Sequence, residues 1–150
     1  MICHKYKIFI SQYPIIIDLY GDVYDYMNFK DIFANKTNYF EIKDCIHVWF
    51  EPKKLPEYKY TNIHPNDYPF ILQGIEIVHD LIREHSQYKD TVIVFNEAIF
   101  SLCDFQEEGL IVGAMEWAAK AFKFECPKIE VAFDKAANKY LYNFGTYIKN

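Results

Sequence analysis

Hydrophobic and polar positions are most clearly ordered in the middle of the chain, from Asp90 onward. Thr91–Phe95 is a run of β-branched and apolar residues with the composition of a strand. The polar pair Asn96-Glu97 follows and fits a tight turn, and Ala98–Cys103 fits a return strand. The pattern therefore predicts a β-hairpin in which residues 90 and 104 lie close together and Glu97 marks the far turn.

An amphipathic helix is predicted directly after this hairpin, over residues 106–124. Apolar residues recur there at Leu110, Ala114, Trp117 and Ala121, spaced by 4, 3 and 4 positions, which places them on one helical face. Small residues beside them would let the helix pack closely on a sheet. We expect Trp117 to be buried in that interface.

The rest of the chain alternates between strand-like and helix-like segments. A second helix is predicted over Asp67–His85, where isoleucine and valine recur at helical spacing. Five segments have strand patterns or lie in a predicted hairpin, and one further segment fits a short helix. The strand segments are Tyr6–Ile10, Tyr13–Leu19, Tyr39–Phe50, Lys128–Phe133 and Tyr140–Phe144, and the short helix is Asp25–Ala34.

This order of elements predicts an α+β fold: a mixed or antiparallel sheet with two principal helices packed on one face. With 150 residues, no internal repeat and no Gly/Ser-rich linker, we expect one domain over residues 1–150. The segment Tyr39–Phe50, a strand or a hairpin, is ended by Glu51–Pro56, because the two prolines there are incompatible with regular ladder pairing.

Composition indicates a soluble protein. Hydrophobic residues make up 51% of the chain and aromatic residues 19%, which is too apolar for disorder. No apolar run reaches the roughly 18–20 residues that a membrane span needs, and the first residues lack the apolar core of a signal peptide. The four cysteines are widely scattered, so we expect reduced thiols and a cytoplasmic location.

Charge argues against a nucleic-acid partner. The net charge is −5, and residues 62–125 hold 11 acidic against 4 basic residues. Only one of the 16 basic residues is an arginine, whereas nucleic-acid binders carry basic surfaces rich in arginine.

No motif for catalysis or cofactor binding is present in the sequence. Phosphate-cradling loops and nucleophile elbows are missing, so we expect no cofactor and no enzymatic activity. His79 and His85 are six residues apart and cannot act as i, i+4 metal ligands; we expect them to be exposed or to cap, and we expect no bound metal. A Cys–His pair built from Cys45 or Cys103 with His47 or His79 stays open at this point.

One resemblance to a known family is carried by short segments between Ile46 and Phe122. They are Val48–Pro52, Tyr58–Ile63, Tyr68–Glu76, Val92–Phe95 and the helix around Ala114, Ala118 and Ala121. Together they resemble domain IV of elongation factor G and its tetracycline-resistance relatives. The resemblance implies a fold like that of the second domain of ribosomal protein S5. In this family the tip of the loop before the last helix acts at the ribosome, and Asp104 is the one residue of that tip that the resemblance assigns to this chain.

Two functional hypotheses follow. The first is a cytoplasmic, non-enzymatic immunity protein that binds and neutralises a basic bacterial toxin such as a nuclease, because an acidic, aromatic-rich surface suits a basic partner. The second, implied by the resemblance alone, is a ribosome- or translation-associated accessory domain. For the first hypothesis, the predicted partner-binding surface combines acidic residues with two apolar anchors. The acidic residues are Asp90, Asp104, Glu107 and Glu108, and the anchors are Phe105 and Tyr88.

Overall fold

A computed structural model of the chain describes residues 1–32, 38–43, 45–51, 63–101 and 103–148. Five strands of the described residues form one sheet in the order β1-β2-β5-β4-β3, and two more form a separate hairpin. The strands are β1 (Ile2–Ile8), β2 (Ile15–Asp25), β3 (Tyr39–Lys43), β4 (Ile46–Phe50), β5 (Thr91–Phe100), β6 (Glu130–Asp134) and β7 (Lys139–Asn143).

The described α-helices are α1 (Tyr68–Ile77), α2 (His79–His85) and α3 (Glu108–Phe122). Three single 3₁₀ turns accompany them, at Tyr26–Asn28, Pro65–Asp67 and Gly145–Tyr147. The predicted α+β class is confirmed, with a mixed sheet: β4 and β5 run parallel, and the other paired strands run antiparallel.

One face of the sheet carries the main hydrophobic core. Every second side chain of the central strands points to this face and packs against α1, α2, α3 and the β6–β7 hairpin. Trp117 is fully buried there, as its position in the helical pattern predicted. The opposite face has its own small cluster, in which Val92 and Val94 lie under Tyr26, Phe29, Tyr39 and Trp49.

The predicted hairpin over residues 91–103 is wrong. The structure shows one continuous ten-residue strand, β5, from Thr91 to Phe100. Asn96 and Glu97 lie inside this strand and do not form a turn. Residues 90 and 104 therefore flank opposite ends of β5, a strand about 30 Å long at roughly 3.3 Å per residue.

A β-bulge explains why this segment resembles a turn in the sequence. Phe95 pairs with Gly21 and Glu97 pairs with the preceding Tyr20, so Asn96 is an extra residue without a partner across the ladder. Asn96 is 7% exposed, and its Nδ2 donates to the carbonyl oxygen of Glu51 at 3.4 Å. A bulge breaks the alternation of polar and apolar residues just as a turn does, yet the strand continues beyond it.

The predicted helix over Asp67–His85 forms as two helices that meet at Val78, whose φ of −100° and ψ of 13° leave the helical range. The break allows His79 to point inward, where its ring Nε2 lies 3.2 Å from the carbonyl oxygen of Lys43. The expectation of an exposed or capping His79 is therefore wrong, since this residue is 4% exposed. His85 is exposed, and its Nδ1 lies 2.9 Å from the carbonyl oxygen of Leu81.

The remaining elements follow the predicted pattern with shifted boundaries. The β3–β4 and β6–β7 hairpins are confirmed. The short helix expected over Asp25–Ala34 is wrong over its described part: β2 extends to Asp25, whose Oδ1 then accepts from Met27 N at 3.1 Å and starts a single 3₁₀ turn. Residues 33–34, and the strand end predicted at 52–56, lie outside the described residues.

Candidate functional site

The acidic residues 104, 107 and 108 lie together at the start of α3. Glu107 occupies the N-cap position and Glu108 the first turn, and Asp104 lies in the loop just before them. Negative charge at this position is favourable because the helix dipole places partial positive charge at the N-terminus. Glu107 is exposed, and Asp104 and Glu108 are half-buried.

Phe105 lies within the same loop but is not a freely exposed anchor. Its ring stacks on Phe100 at the end of β5, with the ring centroids 4.1 Å apart and the planes at 14°. This contact within the chain leaves Phe105 half-buried.

Tyr88 and Asp90 lie at the other end of β5, in the connection between α2 and that strand. The predicted surface is therefore divided into two parts, because β5 runs straight through the bulge where a hairpin was expected. One part holds Asp104, Phe105, Glu107 and Glu108, and the other holds Tyr88 and Asp90.

Two exposed apolar residues lie at the same end of the molecule as Asp104. Phe9 is 62% exposed and Ile10 is 52% exposed, in the loop that joins β1 and β2. Tyr140 on β7 connects this loop to the α3 start: Ile10 N donates to its hydroxyl oxygen at 3.1 Å, and its main chain is bonded to the side chain of Gln106. We call Phe9, Ile10, Asp104, Glu107 and Glu108 the loop-end surface.

The surroundings of Tyr13, in the same loop, agree with this arrangement. The pKa of Tyr13 is raised, chiefly by burial and further by the nearby Tyr140 and Asp104. Sequence reasoning missed Phe9 and Ile10 because both were assigned to a strand ending at Ile10. Adjacent residues of a strand point to opposite faces, so two large apolar residues directly before Ser11-Gln12 could have indicated a loop.

A second cluster lies on the sheet face opposite the helices and is centred on His47 of β4. The Tyr39 hydroxyl on β3 is hydrogen-bonded to His47 Nδ1, and the ring of Tyr26 stacks on the imidazole at 3.9 Å. Asp90 Oδ1 lies 3.8 Å from His47 Nε2. The parallel pairing of β4 with β5 produces this arrangement, because it sets His47 opposite Val92 and close to Asp90.

The His47 cluster favours neutral groups. His47 is 5% exposed, and burial lowers its pKa, although Glu41 and Asp90 act in the opposite direction. The pKa of Tyr39 is raised, first by burial and then by its hydrogen bond to Tyr26. Tyr39 therefore stays protonated at neutral pH and can donate to Nδ1, which leaves the Nε2 proton of His47 facing Asp90. Such a phenol is a poor base, and the geometry suits it to holding β3, β4 and the Tyr26 turn together.

We predict that this cluster makes the fold sensitive to mild acid. Because the folded pKa of His47 lies below its unfolded value of about 6.5, the unfolded state takes up the proton first. The free energy of unfolding should fall as the pH falls through about 6.5, and the loss should level off below the folded pKa. Urea unfolding followed between pH 7.5 and 5.5 measures this change.

His47→Gln tests the assignment of that pH dependence. The variant should start less stable at pH 7.5 and show a flatter profile over the same range. His85→Gln, which removes an exposed histidine, should keep the wild-type slope. A wild-type slope in His47→Gln would refute the role of His47.

The described residues contain no group of three or more His, Cys, Asp or Glu side chains that could hold a metal ion. Of the four cysteines, Cys103 is exposed and the others are half-buried. No helix in the described part of the chain is long and apolar enough to cross a membrane.

Comparison with protein-family models, with curated proteins and with solved structures finds no match for this chain. The resemblance to domain IV of elongation factor G stays a prediction. Two parts of the segments on which this resemblance is based, Pro52 and residues 58–62, lie outside the described residues.

Proposed function

We propose that this chain is a non-enzymatic protein-binding domain that recognises a basic protein partner through its loop-end surface. In its most specific form, the proposal is an immunity protein that neutralises a basic bacterial toxin, such as a nuclease. One observation carries it: the acidic residues Asp104, Glu107 and Glu108 lie at the same end of the fold as the exposed Phe9 and Ile10.

The charges of this end favour a cationic partner. The neighbouring β6–β7 turn adds Asp134, Lys135 and Lys139, so acidic residues still outnumber basic ones when the turn is included. Complementary charge accelerates association and rejects partners of the wrong sign. An inhibitor of a nuclease gains from both effects, because a protein that binds nucleic acid needs a basic surface.

Two reactive groups of the fold, Cys126 and His47, have surroundings that support binding by contact without catalysis. Burial raises the pKa of the Cys126 thiol to about 11, so that it is protonated at neutral pH and a weak nucleophile. His47 is enclosed by Tyr26 and Tyr39.

Co-expression with the protein encoded next to this chain's gene tests the proposal. We expect that neighbour to be a basic toxin domain, to stop growth when expressed alone, and to be tolerated when this chain is expressed with it. The purified pair should form a complex of defined stoichiometry. If the neighbour is not toxic, or if this chain neither protects the cells nor binds it, the proposal fails.

Reversing the three acidic charges should separate binding from stability. The variant Asp104→Lys/Glu107→Lys/Glu108→Lys should raise Kd for the partner by roughly 100-fold or more at low salt, and less at high salt. The free energy of unfolding should fall by only about 1 kcal/mol, through lost helix-dipole interactions. Titration calorimetry at two salt concentrations, together with urea unfolding, measures both quantities.

A matched control carries the same change in net charge on another surface. Glu76, Asp80 and Glu84 are exposed on α1 and α2, and their replacement by lysine should leave Kd within a few-fold of the wild type. Equal affinities for the loop-end variant and the wild-type chain at low salt would show that the loop-end surface is not the interface.

A further inference from the structure

The loop between β1 and β2 presents its two apolar residues on a framework that is held from inside the fold. Gln12 has a φ of 37°, in the left-handed region that side chains other than glycine rarely adopt. Tyr13 N donates to the carbonyl oxygen of Ser11 at 2.5 Å, which closes a tight turn directly after Phe9 and Ile10. A backbone of this kind persists only where its surroundings enforce it.

Tyr140 supplies that enforcement. It is 2% exposed, and its hydroxyl donates to the carbonyl oxygen of Tyr13 at 2.6 Å. The Tyr140 hydroxyl oxygen also accepts from Ile10 N at 3.1 Å. The Tyr140 main chain is fixed in turn by the Gln106 side chain, which accepts from Tyr140 N at 2.6 Å and donates to Tyr140 O at 3.0 Å. The Tyr13 hydroxyl adds a bond to the carbonyl oxygen of Asn138 at 3.0 Å.

These contacts link the apolar and acidic parts of the loop-end surface in one rigid unit. Gln106 lies between Asp104 and Glu107, so the residue that fixes Tyr140 also belongs to the acidic loop. The loop backbone at Ile10 is therefore tied to the same residue that anchors the acidic loop. Less backbone entropy is then lost when a partner covers the apolar pair, which is the advantage of a preorganised anchor.

We infer that Phe9 and Ile10 are the hydrophobic anchor of the interface, inserted into an apolar pocket of the partner that is rimmed by Lys and Arg, and that Tyr140 is a positioning residue for this anchor. The inference rests on the proposed function and names the partner chemistry at the same site. The basic rim follows from charge complementarity, because Asp104, Glu107 and Glu108 lie at the same end of the fold as the apolar pair.

The same charges disfavour two other occupants of the apolar pair. An anionic membrane surface would be repelled by the three carboxylates at this end of the fold. A second copy of this chain would bring a surface of the same sign against itself.

The test measures the binding of the neighbouring-gene protein to Phe9→Ala/Ile10→Ala. Central anchors of interfaces are worth roughly 30-fold or more each in affinity, so Kd should rise by at least that factor. Thermal unfolding should be unchanged, because both side chains are exposed. The control Met27→Ala/Ile32→Ala removes two apolar side chains that are 55% and 50% exposed elsewhere, and it should bind as the wild type does.

The role of Tyr140 is tested by Tyr140→Phe, which removes only the hydroxyl that holds the loop. Binding should weaken severalfold in the wild-type background and remain unchanged in the Phe9→Ala/Ile10→Ala background, because a positioning residue acts only through the anchor that it positions. Equal losses in both backgrounds would overturn the positioning role.

The outcomes separate this inference from the proposed function. If charge reversal abolishes binding while Phe9→Ala/Ile10→Ala binds normally, the anchor is refuted and the proposed function stands. If the neighbouring-gene protein binds neither the wild type nor any variant, both fail. Two results would assign the anchor to another occupant and overturn the inference. The first is that the wild-type chain alone sediments as a dimer while Phe9→Ala/Ile10→Ala sediments as a monomer. The second is that phosphatidylserine vesicles capture the wild-type chain.

Discussion

Replacing Trp117 with alanine is expected to lower the free energy of unfolding by about 3–5 kcal/mol, as is typical for a large aromatic residue removed from a core. The side chain is fully buried, and its ring meets that of Phe95 edge-on at 4.8 Å. Its Nε1 donates to the carbonyl oxygen of Ile2 at 3.0 Å, which ties α3 to the edge strand β1. Chemical unfolding followed by circular dichroism measures the loss.

The site gives a specific reason to expect the upper part of that range. Gly21 lies across from both Ile2 and Phe95, and a Cβ added to it would lie 2.9 Å from Trp117 Cζ2. The indole thus fills a space that β2 leaves open by carrying glycine, which has no side chain to relax into the cavity. Trp117→Phe, which keeps much of the ring, should cost distinctly less. A loss below 1 kcal/mol in Trp117→Ala would contradict the packing of α3 on this sheet.

Replacing Gly74 with alanine is expected to destabilise the protein by about 1–3 kcal/mol or more, although alanine is the better helix former. Gly74 is where α1 crosses α3. A Cβ at this position would lie 2.3 Å from the carbonyl oxygen of Ile111 and 2.9 Å from Ala114 Cβ, so the two helices would have to separate. The separation would loosen the layer that covers β2 and β5. Urea unfolding of the single variant gives the sign and size of the effect.

Gly113→Ala is the matched control for Gly74→Ala. Gly113 is also buried in a helix, but its added Cβ would meet only Tyr6 Cβ, at an ordinary contact distance of 3.6 Å. The gain in helix propensity should therefore appear there as a stabilisation of about 0.5–1 kcal/mol. Opposite signs for the two variants would confirm the close helix crossing, whereas a stabilised Gly74→Ala variant would contradict it.

Local patterns in the sequence determined the class of the fold and most of its elements. Alternation was enough to predict the hairpin over residues 128–144 and a strand or hairpin over 39–50, and the spacing of apolar residues was enough to place Trp117 in the core. These predictions succeeded because the period of side-chain burial, two in a strand and 3.6 in a helix, depends only on near neighbours in the chain. The same patterns located the acidic start of α3.

Only the tertiary structure decided the path of β5 and the composition of both candidate sites. Asn96-Glu97 is compatible with a turn or a bulge, and the choice depends on β2, which pairs along both halves of the segment and keeps them in one strand. That choice moved Asp90 away from Asp104 and brought it to His47, 43 positions earlier in the chain. Likewise, Tyr140, about 130 positions later in the chain, connects the loop of Phe9 and Ile10 to the acidic loop. Contacts between such distant residues leave no periodic pattern in the sequence, because each depends on how strands and helices pack against one another.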